Sequence, residues 1–559
     1  MKIKGKRAYY VYYFFLCLFI ALALRIFYLQ IFQKDFLQNL ANKQHYRIIP
    51  IEGSRGKIFD RQGRIFVTDI KCYSVFADPQ LASDPAKSAK VLAPLLGVSK
   101  EELIQTLNKK NRRFEWLKRK VSWEEKEKIK TLGLREVGML REEKRFYPQE
   151  TLASCVLGTV DIDNKGLEGL ELSYDSYLRG KQGWVRILQD SASRQLILSP
   201  QAVAPQPGTD IVLAIDMQIQ YWAQKHLEET VREFRAKGGA AIVMDAQSGQ
   251  ILAMANYPNF DPNNITKKSL KFIKNRAVCD MFEPGSVFKI VTLIAAIDSG
   301  AFQPQRRIFC ENGEWKIPGT VLNDWKPFGE LSYMEAFKNS SNIGVAKIAI
   351  SLEKDMFYLY IKKLGFGELS GVDFPGEIPG MLRHYTKWSR TSSYIVPIGQ
   401  EVGVTLLQLV RAYAAVANGG FLVTPSIVKS VRVHGFDKEV PLERYRVISE
   451  EAASLTAQVL IKVVEDGTGT LAHIKGMTVG GKTGTAQKYD PQVGSYSLTK
   501  YRASFVGFVS NFEPALVIGV TIDEPQKAHL GGTVAAPLFQ RIAQKAIAYM
   551  KGEVKTSKQ

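Results

Sequence analysis

The chain opens with the cations Lys2, Lys4, Lys6 and Arg7, then runs "AYYVYYFFLCLFIALAL" from Ala8 to Leu24 without a charge. Apolar character resumes after Arg25 with "IFYLQIF". As a helix, that length crosses a hydrocarbon layer of ~30 Å. The leading cations predict a cytoplasmic N-terminus, Tyr9, Tyr10 and Tyr28 suit the interfaces, and Arg25 can snorkel. Ala21 and Ala23 make an A-x-A pattern, so a cleaved signal peptide is the alternative, but the run is too long for a signal core. No later segment is long and apolar enough to span again. The remainder is expected outside the cytoplasmic membrane.

Beyond the anchor, "KDFLQNLANKQHY" has the spacing of a helical extension. "RGKIFDRQGRIFV" (55–67) alternates and predicts two short strands around an Asp-Arg-Gln-Gly turn. Residues 83–145, rich in Lys, Glu and Leu, carry helical spacing, and "GLEGLELSYDSYLRG" (166–180) predicts a helix between glycine stops. "LSPQAVAPQPGTD", with Pro200, Pro205 and Pro207, is the clearest linker. After it, "GAAIVMDAQSGQILAMAN" gives a hairpin, and "RASFVGFVSN" with "ALVIGVTID" gives another strand pair. "AAPLFQRIAQKAIAYM" closes as an amphipathic helix with Ala535, Leu538, Phe539, Ile542 and Ala546 on one face. The pattern between these strand pairs is mostly helical. The expected fold is α+β, an antiparallel sheet built from both ends of the domain and flanked by helices. The expected order is a tail (1–7), an anchor (8–32), a non-catalytic module (33–198), a linker (199–209), the large α+β domain (210–552) and a tail (553–559).

Composition narrows the ligands. The chain has 559 residues, 45% hydrophobic, and a formal charge of +20. In the cytoplasm that charge would suggest nucleic acid; outside it, the charge fits anionic lipid or a wall polymer, and ATP and nucleic acid drop out. The five cysteines show no paired spacing and no C-x-x-C, so at most one or two disulfides are expected and no disulfide scaffold, and six scattered histidines form no ligand pair. No metal or cofactor is expected.

Three motifs bear on chemistry. Ser286-Val-Phe-Lys289 is S-x-x-K, a pattern that also occurs at Ser54–Lys57, Ser351–Lys354, Ser426–Lys429 and Ser497–Lys500. Only the Ser286 copy follows a Pro-Gly corner and leads into an apolar run, where burial would favour a neutral Lys289 able to act as general base. The alternative for Lys289 is a snorkelling surface residue. "NSSNIG" holds Ser340 and Asn342 after the helix-like "LSYMEAFK"; taken alone it fits a helix cap. "GGKTGTAQ" carries Lys482, Thr483, Gly484 and Thr485. With its preceding residues it also spells a phosphate-binding loop, G-x-x-x-x-G-K-[ST]. That loop needs a following helix, whereas Gly484, Asp490, Pro491 and Gly494 come next, so an extended edge with both threonines on one side is expected.

S-x-x-K, S-x-N and K-T-G in this order resemble the signature of penicillin-binding proteins and class A β-lactamases. Over nearly the whole chain the sequence resembles a class B penicillin-binding protein, a monofunctional peptidoglycan D,D-transpeptidase. The anchor, the "RGKIFDRQGRIFV" pedestal motif and "GQEVGVTLLQLVRAYAAVANGG" all carry the likeness, and "GTVDIDNKGLEGLELSYDSYLRGKQG" (158–183) resembles the septal branch more than the elongation branch. Two pedestal positions depart: Gln62 where Asn is usual and Glu150 where Gly is usual. The resemblance implies a penicillin-binding-protein/β-lactamase-like domain acting on stem peptides that end in D-Ala-D-Ala. It implies Ser286 as nucleophile, Lys289 as its base, Ser340 as proton relay and Lys482 as a positive charge near the substrate carboxylate. Thr483 and Thr485 would bind that carboxylate, Gly484 would lie between them, and Asn342 would bind the peptide backbone. The N–H groups of Ser286 and Thr485 would form the oxyanion hole. β-Lactams, an amine acceptor, a membrane glycosyltransferase and divisome proteins are the implied partners. A β-lactamase and a non-catalytic division scaffold are the rivals.

Overall fold

The structure, a computed structural model, describes residues 5–37, 46–189, 195–196, 202–433, 435–490 and 494–552. Lys2 and Lys4, most of the expected helical extension, Pro200 of the linker and the 553–559 tail lie outside these residues.

The chain divides into two compact units, Met1–Ser54 with Arg179–Gly208, and Arg55–Leu178 with Thr209–Gln559. The first holds a helix over Gly5–Ile31, whose Arg7–Ile31 stretch has mean hydropathy 2.2 and is long and apolar enough to cross a membrane. It also holds a small antiparallel sheet in which Gly183–Gln189 pairs with Tyr46–Ile51 and with Ala202–Val203. The proline-rich stretch expected to be linker thus contributes a two-residue strand.

In the second unit, Ile58–Phe59 and Ile65–Ala77 form the expected hairpin. The Asp60 carboxylate accepts the N–H groups of Gln62 (2.9 Å) and Arg64 (2.8 Å). The turn therefore uses the backbone of residue 62, and the exposed Gln62 side chain is free to differ. Glu150 lies at φ +49°, in the left-handed region, which explains why glycine suits that position; a side chain there costs roughly 1–2 kcal/mol. The helical expectation for 83–145 holds only in part. Pro85–Leu96, Lys100–Leu107 and Trp123–Thr131 are helices, but Glu115–Val121 and Val137–Phe146 pair with the long Ile65–Ala77 strand, and that pairing overrides local preference. Residues 166–180 form a short strand and two short helices, Gly169–Ser173 and Asp175–Leu178, rather than one helix. The break serves a buried ion network. Glu171, fully buried, accepts from Arg55 Nε and Arg145 Nε at 2.6 Å each, and Arg55 also reaches Asp175 at 2.6 Å.

The remaining elements used below are α1 (Met217–Glu233), β1 (Gly238–Asp245), β2 (Ile251–Tyr257), α2 (Lys289–Asp298), α3 (Tyr333–Lys338), α4 (Asn342–Ile350), α5 (Leu406–Ala417), β3 (Val479–Asp490), β4 (Ser495–Val509), β5 (Leu516–Asp523) and α6 (Gly531–Met550). The five strands form one antiparallel sheet in the order β2-β1-β5-β4-β3, so both ends of the domain build it. Alternation then sets the two faces. Ala241 and Val243 of β1 pack with Leu227 of α1 and with Leu538, Phe539, Ile542 and Ala546 of α6. Ala240, Ile242 and Met244 face α2 and α5 instead. Strand β3 stands at the sheet edge, as the sequence pattern predicts. All five cysteines are free thiols.

Candidate active site

Ser286 does not begin the α-helix. Gly285–Phe288 is a 3₁₀ turn that delivers the chain into α2, whose first residue is Lys289. Gly285 takes φ +55°, which glycine adopts without strain. Side chains three apart eclipse in a 3₁₀ turn, so Ser286 and Lys289 share one side. The turn is fastened from behind: Tyr413 Oη donates to the Val287 carbonyl at 2.9 Å, and the Gly285 N–H donates to the Gly399 carbonyl at 3.0 Å. Ser286 is half-buried, whereas Lys289 is 1% exposed. Context separates this S-x-x-K from its copies: Lys57, Lys354 and Lys500 are exposed and Lys429 is half-buried.

The Lys289 amine turns to the S-x-N motif. Its Nζ donates to the Ser340 carbonyl (2.8 Å) and to Asn342 Oδ1 (2.7 Å), and lies 3.3 Å from Ser340 Oγ. Ser340 sits between α3 and α4 at φ +58°, a left-handed position that turns its carbonyl and hydroxyl inward together. The helix cap expected of this motif belongs to Ser341, whose Oγ accepts the Gly344 N–H at 2.9 Å. Ser340 is left for the site.

Lys482 arrives from the sheet edge. It is 1% exposed, and its Nζ donates to Ser340 Oγ at 2.8 Å. One hydroxyl thus stands between two buried amines. Burial depresses Lys289 to about 7, against a weaker opposing pull from the Asp324 carboxylate. Burial, reinforced by the charge on Lys289, takes Lys482 well below its ordinary range. A neutral Lys289 has two N–H bonds, which the Ser340 carbonyl and Asn342 Oδ1 occupy, so its lone pair is left to accept a proton.

Strand β3 also sets the threonines and the glycine. Thr485 Oγ1 accepts the N–H of Gly531, at the start of α6, at 2.9 Å, and Thr483 Oγ1 lies 3.0 Å from Thr468 Oγ1. Gly484 is required by contact: a Cβ there would lie 2.4 Å from Ser504 Oγ, 3.0 Å from the Pro284 carbonyl and 3.1 Å from Val287. A Cβ on Gly531 would lie 2.3 Å from the Gly484 carbonyl. The K-T-G strand is therefore pressed between the Ser286 turn and the end of α6.

Two residues escaped sequence reasoning. Asp324, at the end of a hairpin, accepts from Ser341 Oγ (2.6 Å) and from the N–H groups of Asn342 and Ile343, and so holds the S-x-N segment in place. Glu283, in the corner before Ser286, accepts from Tyr496 and from the Glu401 backbone. Neither belongs to a motif, and only the folded chain brings their partners near.

Residues 239–544 match the penicillin binding protein transpeptidase domain family, and residues 50–213 match the penicillin-binding protein dimerisation domain family. The chain is 34% identical to stage V sporulation protein D of Bacillus subtilis, over 97% of this chain and 85% of that protein. It is also 34% identical to the "Probable peptidoglycan D,D-transpeptidase PenA" of Neisseria gonorrhoeae, over 94% of this chain and 89% of that protein. Among solved structures, a peptidoglycan synthetase from Bifidobacterium adolescentis superposes with TM-score 0.73 and 26% identity, covering 92% of this chain and 98% of that one. Penicillin binding protein 3 of Mycobacterium tuberculosis, complexed with aztreonam, gives TM-score 0.70 and 27% identity, with 91% and 98% covered. With a dimerisation domain ahead of a transpeptidase domain, and relatives matched along nearly its full length, the chain belongs to the class B penicillin-binding proteins.

Proposed function

We propose that the protein is a membrane-anchored serine D,D-transpeptidase that cross-links peptidoglycan stem peptides. The observation that carries this reading is the Ser340 hydroxyl held between the amines of Lys289 and Lys482 beside the Ser286 turn. Lys289 takes the proton of Ser286, whose Oγ attacks the carbonyl carbon of the penultimate D-Ala. The peptide bond to the terminal D-Ala breaks, and Ser340 passes a proton to the leaving amine. The ester on Ser286 is then attacked by an amine of a neighbouring stem, and the serine recovers its proton as the cross-link forms. Lys482, Thr483 and Thr485 receive the terminal carboxylate, Gly484 lets the strand lie close, and Asn342 binds the substrate backbone. The N–H groups of Ser286 and Thr485 form the oxyanion hole, each donor contributing on the order of 10²–10³ in rate.

The Gly5–Ile31 helix serves as the anchor with its N-terminus in the cytoplasm, which the preceding cations support. The division into pedestal and catalytic domain around residues 199–209 stays part of this reading. The 158–183 segment supports a septal role, with a membrane glycosyltransferase and divisome proteins as partners.

Mixing the full-length protein with a labelled penicillin tests the chemistry. The expected result is a long-lived adduct located by mass spectrometry on Ser286, together with D-alanine release from a stem peptide. Rapid turnover of the adduct would make the protein a β-lactamase, and no adduct would make it a scaffold. A tagged copy in growing cells should collect at the septum; sidewall fluorescence would favour the elongation branch.

Asp324→Asn should slow acylation about tenfold by loosening the S-x-N segment. It should also move the pH midpoint of acylation downward, because it removes the carboxylate that favours charged Lys289. A pH–rate profile with an unmoved midpoint would refute the electrostatic part.

A further inference from the structure

Glu283 lies three residues before Ser286 and ties together segments far apart in sequence. Its Oε1 accepts the Tyr496 hydroxyl at 2.9 Å and the Glu401 N–H at 2.9 Å. On one side stands the bend over residues 399–401, which abuts the Ser286 turn. Gly399 takes φ +87°, a Cβ on it would lie 2.1 Å from the Gly285 carbonyl, and Glu401 is itself left-handed at φ +55°. On the other side stands the arm of the β3–β4 hairpin. Tyr496 of β4 is the register partner of Tyr489 of β3, and their rings meet edge to face at 5.8 Å. The strand that carries Tyr489 is the one that carries Lys482, Thr483 and Thr485.

The carboxyl is also costly where it stands. Glu401, whose N–H it accepts, carries a like charge nearby, and that carboxylate is itself taken up by Ser392 Oγ at 2.6 Å and by Arg383. Burial, opposed by the two hydrogen bonds and aided by Glu401, holds Glu283 above the ordinary carboxylate range.

We propose that Glu283 and Tyr496 form a clamp that sets the spacing between the Ser286 turn and the K-T-G hairpin, which makes Glu283 a positioning residue for acylation. The inference rests on the reading of Ser286 as nucleophile. That reading needs the Ser286 hydroxyl and the β3 groups to meet one carbonyl, and a displacement of about 1 Å at such a site can cost on the order of 100-fold in rate. Glu283 and Tyr496 stand 213 positions apart in the chain, so the hydrogen bond that joins them holds the hairpin arm to the turn beyond the close approach of Gly484 to Pro284 and Val287.

The test uses the full-length protein and a fluorescent penicillin, with the acylation rate constant and the reversible binding constant measured separately. Tyr496→Phe keeps the ring and removes one hydrogen bond; it should lower the rate constant by about 3- to 10-fold and leave binding and the melting temperature near wild type. Glu283→Gln, whose amide oxygen still accepts both donors, should stay within about threefold of wild type. Glu283→Ala should lose more than Tyr496→Phe, and adding Tyr496→Phe to it should cost nothing further. A Tyr496→Phe protein that acylates at the wild-type rate overturns the clamp, as does a loss confined to the binding constant. Multiplicative losses in the double variant overturn it too. Adduct mapping separates the two readings: label on Ser286 in every variant keeps the nucleophile whatever becomes of the clamp, whereas wild-type label elsewhere removes the nucleophile itself.

Discussion

Ser286→Ala is expected to remain folded and to form no penicillin adduct at all. The change removes one hydroxyl from a half-buried position whose backbone is held by other groups. Tyr413 still donates to the Val287 carbonyl, Gly285 to the Gly399 carbonyl, and Thr292 Oγ1 to the Pro397 carbonyl at 3.0 Å. Stability should therefore move by no more than about 0.5–1 kcal/mol. Activity should fall by about 10⁴-fold or more, because the remaining groups can orient a substrate but have nothing to attack it with. Gel fluorescence with a labelled penicillin and a thermal melt check the two halves. Covalent label on the folded variant would sink the assignment.

Lys289→Met should cost about 10²–10⁴ in acylation while raising the melting temperature. Lys289 has a folded-state value of about 7 against an ordinary 10.5. Between those values the unfolded chain holds a proton that the folded chain has released, so stability rises with pH across that window and is lowest below it. At pH 7 the burial of this amine costs on the order of 4 kcal/mol. Methionine removes that cost, although the Ser340 carbonyl and Asn342 Oδ1 lose a donor, which returns about 1–3 kcal/mol. The net gain should appear as a higher melting temperature at neutral pH and a shallower rise between about pH 7 and pH 10; Lys482, also depressed, keeps part of the slope. In the wild type, acylation should climb through about pH 7 as Lys289 becomes neutral. A variant less stable than wild type at pH 7 would show that the amine is not a burden to the fold.

Much of this arrangement was legible in the chain where the information is local. Alternation around Gln247-Ser248-Gly249 gave the β1–β2 hairpin, and the spacing of Leu538, Phe539, Ile542 and Ala546 gave the face of α6 that meets the sheet. The Pro-Gly corner marked which S-x-x-K copy carries a buried lysine, although not that the serine would ride a 3₁₀ turn. What stayed hidden depends on distant parts of the chain. The left-handed Ser340 has no local marker, because Ser341 next to it is the residue with cap chemistry. Glu283 meets Tyr496 across 213 positions. The strands at 115–121 and 137–146 contain residues that favour helices, and only the long partner strand decides otherwise.

The seam where β3 meets the Ser286 turn and α6 limits how the protein can change under selection by β-lactams. If such a drug lies along the K-T-G strand, as the proposed function has it, the simplest way to exclude it is to add bulk there. At Gly484 that route meets the Pro284 carbonyl and Ser504, and at Gly531 it meets the backbone of Gly484 itself. A single step at either glycine would disturb the K-T-G strand before it discriminated against the inhibitor. Lowered susceptibility should therefore arise first from half-exposed residues around the site, and substitutions inside the seam should appear only together with a second change that makes room for them.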